Sequence, residues 1–198
     1  PAIAEFQRRH SACTADILIS DQTLDPVEKD IELAIRVGWL ADSSLQARRI
    51  GSFRQLLVGA PAFAGAIATL REPADLGQLP FVANLALREP LAWTFSRRDL
   101  DRCTVRLQAR IAIDTTPGVL AAVRMGAGLS VLPDFLVERD LAAGRLTQAL
   151  PDWQLPSGGI HTVYPAARFR PPKVTAFVEM LTAAQLEASR VALYPNVP

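Results

Sequence analysis

The stretch IAIDTTPGVLAAVRMGAGLSVLP, from Ile111 to Pro133, decides the fold. It opens inside an apolar run that begins at Val105 and stops at Asp114, which reads as a strand. Thr116, Pro117 and Gly118 then open a helix that runs to Met125. Proline suits that first turn, because the N–H it lacks would have no partner there. Gly126, Ala127 and Gly128 end the helix. Leu129-Ser130-Val131-Leu132 follows as a short run predicted to be a buried strand. Strand, helical crossover and strand in that order signal a mostly parallel sheet covered on both faces.

Working outward, Asp134 can cap a helix over Phe135 to Ala143, and Leu146 to Leu150 reads as a short strand. Gly159 to Pro165 reads as a returning strand, and a last helix over Pro172 to Ser189 carries Val174, Phe177, Val178 and Leu181 as an apolar stripe. Upstream lie strands near Phe81 to Leu85 and Leu91 to Phe95, and helical signals at Ala62 to Arg71 and Pro73 to Leu79. The segment Arg48 to Ala60, with Gly51 inside and Pro61 closing it, reads as one long strand crossing between two lobes. Before it, Ala2, Ile3 and Phe6 share a helix face opposite Glu5, Arg8 and Arg9. Ala15 to Ile19 is predicted as a strand, Asp25-Pro26-Val27-Glu28-Lys29 as a helix start, and Leu33 to Val37 as another strand before the polar loop Ala41 to Ser44. The predicted fold is therefore α/β, with two lobes joined by two crossover segments and no internal repeat or long linker.

The composition suits that fold. At 198 residues, 49% apolar and 21% charged, the chain has a globular composition rather than a disordered or fibrous one. Lys and Arg number 21 against 20 Asp and Glu, so no field of one sign draws the chain to a nucleic-acid backbone. Two cysteines, Cys13 and Cys103, make neither a disulfide framework nor a zinc pattern, and a reducing cytoplasm fits them. The longest apolar stretch, Leu56 to Leu70, is broken by Pro61 and two glycines and is too short to span a bilayer. No basic region followed by an apolar run opens the chain, so no signal peptide is read. Its start at Pro1, without Met and inside a helical pattern, reads as a fragment of a longer product.

The residues offer little for catalysis. His10 and His161 are the two imidazoles, the first at the end of an amphipathic helix and the second in a strand run. Gly-x-Ser-x-Gly, Ser-x-x-Lys, His-Glu-x-x-His and the phosphate-cradling Gly-x-x-x-x-Gly-Lys loop are all absent, and no metal or cofactor set is read. Binding is better served. A helix opening at Thr116-Pro117 presents backbone N–H groups and a positive dipole end to a carboxylate or phosphate, although Thr115 or Thr116 can equally cap it. Ligands of open α/β sheets collect at strand carboxyl ends, and Asp114-Thr115-Thr116, Ser20-Asp21 and Arg36-Val37-Gly38 stand at such ends. Arg36 suits an anion or a loop acid such as Asp21 or Asp42. Trp39, Phe63 and Trp93 would equally suit an aromatic ligand.

Ile31-Glu32-Leu33-Ala34-Ile35-Arg36-Val37-Gly38, Asp42 to Gly51, and Leu57-Val58-Gly59-Ala60-Pro61 resemble the effector-binding domain of LysR-type transcriptional regulators. Met125 to Pro133, Gly144-Arg145-Leu146, Leu150-Pro151-Asp152-Trp153, Val163-Tyr164-Pro165 and Phe169 to Phe177 are similar to that family in order and spacing. The resemblance implies two Rossmann-like lobes of the type 2 periplasmic-binding-protein kind, lobe I over 1–59 plus 157–198 and lobe II over 60–156. It implies that the first strand of lobe I and a winged helix-turn-helix domain precede Pro1. It also implies a small-molecule effector between the lobes, an organic anion or an aromatic, and a non-enzymatic cytoplasmic homodimer or tetramer. Such a protein meets DNA only through the absent domain and meets no membrane. Carried over by position, the implied effector contacts are Ser20, Asp21, Arg36, Val37, Gly38, Ala60, Pro61, Asn84, Thr115, Thr116, Pro117 and His161. A transport-linked solute-binding protein of the same fold is the alternative.

Overall fold

In the computed structural model of the chain, residues 2–21, 31–39, 46–97, 101–164 and 171–193 are described. The helix expected at Asp25 to Lys29 and the loop Ala41 to Ser44 lie outside them. In chain order the elements are α1 (Ala2–Arg9), β1 (Ala34–Gly38), β2 (Gln46–Phe53), β3 (Gln55–Gly59), α2 (Ala64–Thr69), β4 (Phe81–Asn84), β5 (Ala92–Arg97) and β6 (Asp101–Arg106). They continue with β7 (Ala109–Ile113), α3 (Thr116–Arg124), β8 (Ser130–Pro133), α4 (Asp134–Ala142), β9 (Thr147–Gln148), β10 (Gly158–Tyr164) and α5 (Pro172–Leu193). The chain divides into two compact units, one of Pro1–Ile19, Thr23–Ser52 and Gly158–Pro198, the other of Ser20–Gln22 and Phe53–Ser157.

In unit 1 the strand order is β1-β10-β2. β10 runs antiparallel to β1, pairing Ala34 with Val163, Arg36 with His161 and Gly38 with Gly159. The helices α1 and α5 pack through aromatic rings. Phe6, the buried residue of α1, meets Phe177 edge-on with centroids 5.0 Å apart and lies 4.6 Å from the His10 ring. Val174 and Val178 of the predicted α5 stripe are buried, whereas Ile3 is 39% exposed. The strand expected over Ala15 to Ile19 does not form: these residues carry no regular structure, and Ile17, Leu18 and Ile19 are exposed. An apolar β-branched run has the propensity for a strand, but a strand exists only where a neighbouring backbone completes its hydrogen bonds, and no described strand pairs with this run.

Unit 2 is built on the stretch that opened the sequence reading. β4 pairs parallel with β7, Val82 facing Ile111 and Asn84 facing Ile113. A parallel bridge from Phe81 to Leu129 joins β4 to the segment entering β8, with the Val82 N–H donating to the Leu129 carbonyl at 2.8 Å. Thus β7, β4 and β8 run side by side in one direction. β3 runs against them, antiparallel to both β8 and β9. The mostly parallel sheet therefore holds for these three strands, while β1–β10, β3–β8, β3–β9 and β5–β6 are antiparallel. Alternation along the strands splits the core in two. Leu57, Phe81, Leu129 and Val131 pack with Trp93 and Phe95 on one face. Their neighbours Val58, Val82 and Leu132 pack with Val119, Val123 and Val137 of α3 and α4 on the other. A sheet buried on both faces needs such continuous apolar runs, which is why they read so clearly in the sequence.

Two long strands expected from the sequence are each broken. Arg54 separates β2 from β3: its carbonyl accepts the Asp134 N–H at 2.9 Å and its guanidinium pairs with the Asp134 carboxylate at 3.1 Å. Consequently β3 belongs with β8 and β9 in unit 2, and the boundary expected after residue 59 falls after Ser52. The run Val105 to Asp114 breaks at Leu107, whose N–H turns to the Leu91 carbonyl at 2.9 Å, so β6 closes a hairpin on β5 while β7 joins β4.

Candidate functional site

The expected site residues fall into three groups. In unit 2, β4 ends on Asn84, which is buried at 4% exposure. Its Oδ1 accepts the Ala86 N–H at 3.1 Å, and its Nδ2 donates to the Thr116 hydroxyl at 3.1 Å. This one side chain ties the carboxyl end of a strand to the first turn of α3. Thr115 stands at the N-cap position and its carbonyl accepts the Val119 N–H at 3.0 Å, but neither its side chain nor any other in the turn makes the local cap. The Thr116 N–H instead donates to the Asp21 carboxylate. The helix start expected to receive a ligand anion is thus met by an acid of the chain itself, 95 residues away in sequence. Pro117 is exposed and has no N–H to offer. Ser20 is exposed beside Asp21.

Ala60 and Pro61 form a second group at the end of β3. Ala60 is buried and its carbonyl accepts the Phe63 N–H at 2.9 Å, starting a single 3₁₀ turn over Pro61–Phe63, while Pro61 is exposed.

The third group lies in unit 1, across the β1–β10 ladder. Arg36 faces His161 and Gly38 faces Gly159. Val37 alternates to the opposite face and is half exposed. Burial, then the positive charge of Arg49, hold the His161 imidazole below its ordinary pKa, so the ring is neutral near pH 7. Its Nδ1 is buried without a hydrogen-bond partner among the described residues. Sequence reading missed Arg49 and Gly159. Arg49 lies in β2, but no pattern in the sequence shows that β2 lies beside β10. Gly159 matters because the His161 ring occupies the space a Cβ there would take.

No cluster of three or more His, Cys, Asp and Glu suited to a metal occurs among the described residues. No helix of the described residues is long and apolar enough to cross a membrane. Cys13 and Cys103 are free thiols.

Residues 1–185 match the family described as LysR substrate binding domain. The HTH-type transcriptional regulator PtxR of Pseudomonas aeruginosa is 40% identical over 178 residues, which cover 90% of this chain and 57% of PtxR. The regulatory domain of AphB from Vibrio vulnificus superposes with a TM-score of 0.71 at 26% identity, covering 92% of this chain and 89% of that one. The regulatory domain of CrgA from Neisseria meningitidis has a TM-score of 0.79 over 93% of this chain and 90% of its own, and at 19% identity shares the fold.

Proposed function

The chain belongs to the LysR substrate binding domain family, and on that footing we propose that it senses a small-molecule effector on behalf of a transcriptional regulator and passes the signal to a DNA-binding domain elsewhere in the polypeptide. The family match over residues 1–185 carries the reading. It is supported by the 40% identity to PtxR, a transcriptional regulator of which this chain spans little more than half. The same comparisons favour a regulator over a transport-linked binding protein and over an enzyme. In this reading the two units are the two regulatory lobes, the polypeptide works in the cytoplasm as a homodimer or tetramer, and DNA is met through the additional domain.

The effector contacts are proposed at strand ends: Ser20, Asp21, Asn84, Thr115, Thr116 and Pro117 around the start of α3, Ala60 and Pro61 after β3, and Arg36, Val37, Gly38 and His161 on the β1–β10 ladder. Binding shifts the protein between states only to the extent that one state holds the effector more tightly. A coupling of about 1–3 kcal/mol is typical. The test is a footprint of the full-length polypeptide on the DNA flanking its own gene, repeated with a panel of small organic acids and aromatics that raise its melting temperature. Sequence-specific protection that changes with a stabilising compound supports the reading. Absence of specific protection, or a cleavable apolar leader directly upstream of Pro1, sinks it.

A further inference from the structure

We draw no further inference here: the strongest candidate, the exposed face of the β5–β6 hairpin in unit 2, where Arg102 and Arg106 flank the paired hydroxyls of Thr94 and Thr104, carries nothing because nothing in the structure shows what covers it and the turn joining its strands lies outside the described residues.

Discussion

Asp140 is 1% exposed yet carries a charge, and the reason lies in two arginines. Arg124 reaches its Oδ2 with Nε at 2.8 Å and Nη2 at 2.5 Å, and Arg145 reaches its Oδ1 at 2.6 Å. Burial alone would push its pKa up, but these hydrogen bonds outweigh it and hold the carboxyl below the ordinary value of 3.8. A folded-state pKa below the unfolded one means that the unfolded chain binds the extra proton in acid. The stabilisation is therefore complete above the ordinary carboxylate value and fades as pH falls below it. Urea midpoints measured from about pH 6 to about pH 3 should drop less steeply in Asp140→Asn than in the parent chain. The same variant should cost about 2 kcal/mol at neutral pH, less than a fully buried pair, because both arginines are about half exposed and water screens them once freed. Gly159→Ala tests the other packed titratable group. The added methyl collides with the imidazole ring rather than with backbone, so the His161 side chain must rotate away. Its NMR titration midpoint should then move up toward that of an ordinary histidine, with a stability loss of about 1 kcal/mol.

Among the elements, α3 shows how local signals and distant residues divide the capping of one helix. Its C-terminus is self-contained: the Gly126 N–H donates to the Val123 carbonyl at 2.9 Å and the Ala127 N–H to the Ala122 carbonyl at 3.0 Å, with Gly126 at a φ of +79°. This is a Schellman closure, and glycine at that position announces it in the sequence. Gly126→Ala should lower stability by about 1 kcal/mol in a denaturant melt, since open space surrounds the site and only the backbone angle resists. The N-terminus is different. Asp21, a residue no local pattern connects to α3, satisfies the Thr116 N–H, and Asn84 holds the Thr116 hydroxyl. Asp21→Ala should therefore cost about 0.5–2 kcal/mol, the range for losing a cap, and should speed amide exchange in the first turn of α3 more than in its last. The segment Ala15 to Ile19 teaches the converse, since strong strand propensity without an adjacent backbone leaves exposed irregular chain.

At the scale of the whole molecule, each unit closes its own hydrogen-bonded sheet, and unit 2 sandwiches its strands between two apolar clusters. Leu129 is 1% exposed in one cluster, and Leu129→Ala should destabilise by about 2–5 kcal/mol. Hydrogen exchange should place that loss in β4, β8 and α3 of unit 2 and leave the β1–β10 ladder of unit 1 nearly unchanged. The amino-acid sequence by itself determined β4, α3, β8 and α4 of unit 2 and the family, because buried parallel strands need continuous apolar runs and helix ends need particular residues, both local requirements. It also placed Asn84 at a strand end and Thr116 at a helix start, where β4 and α3 have them. Only the tertiary structure decided where Arg54 breaks a strand, that Asp21 caps α3, and that Arg49 and Gly159 frame His161. These depend on which strands lie side by side, and pairing between residues tens of positions apart follows from packing rather than from any local pattern.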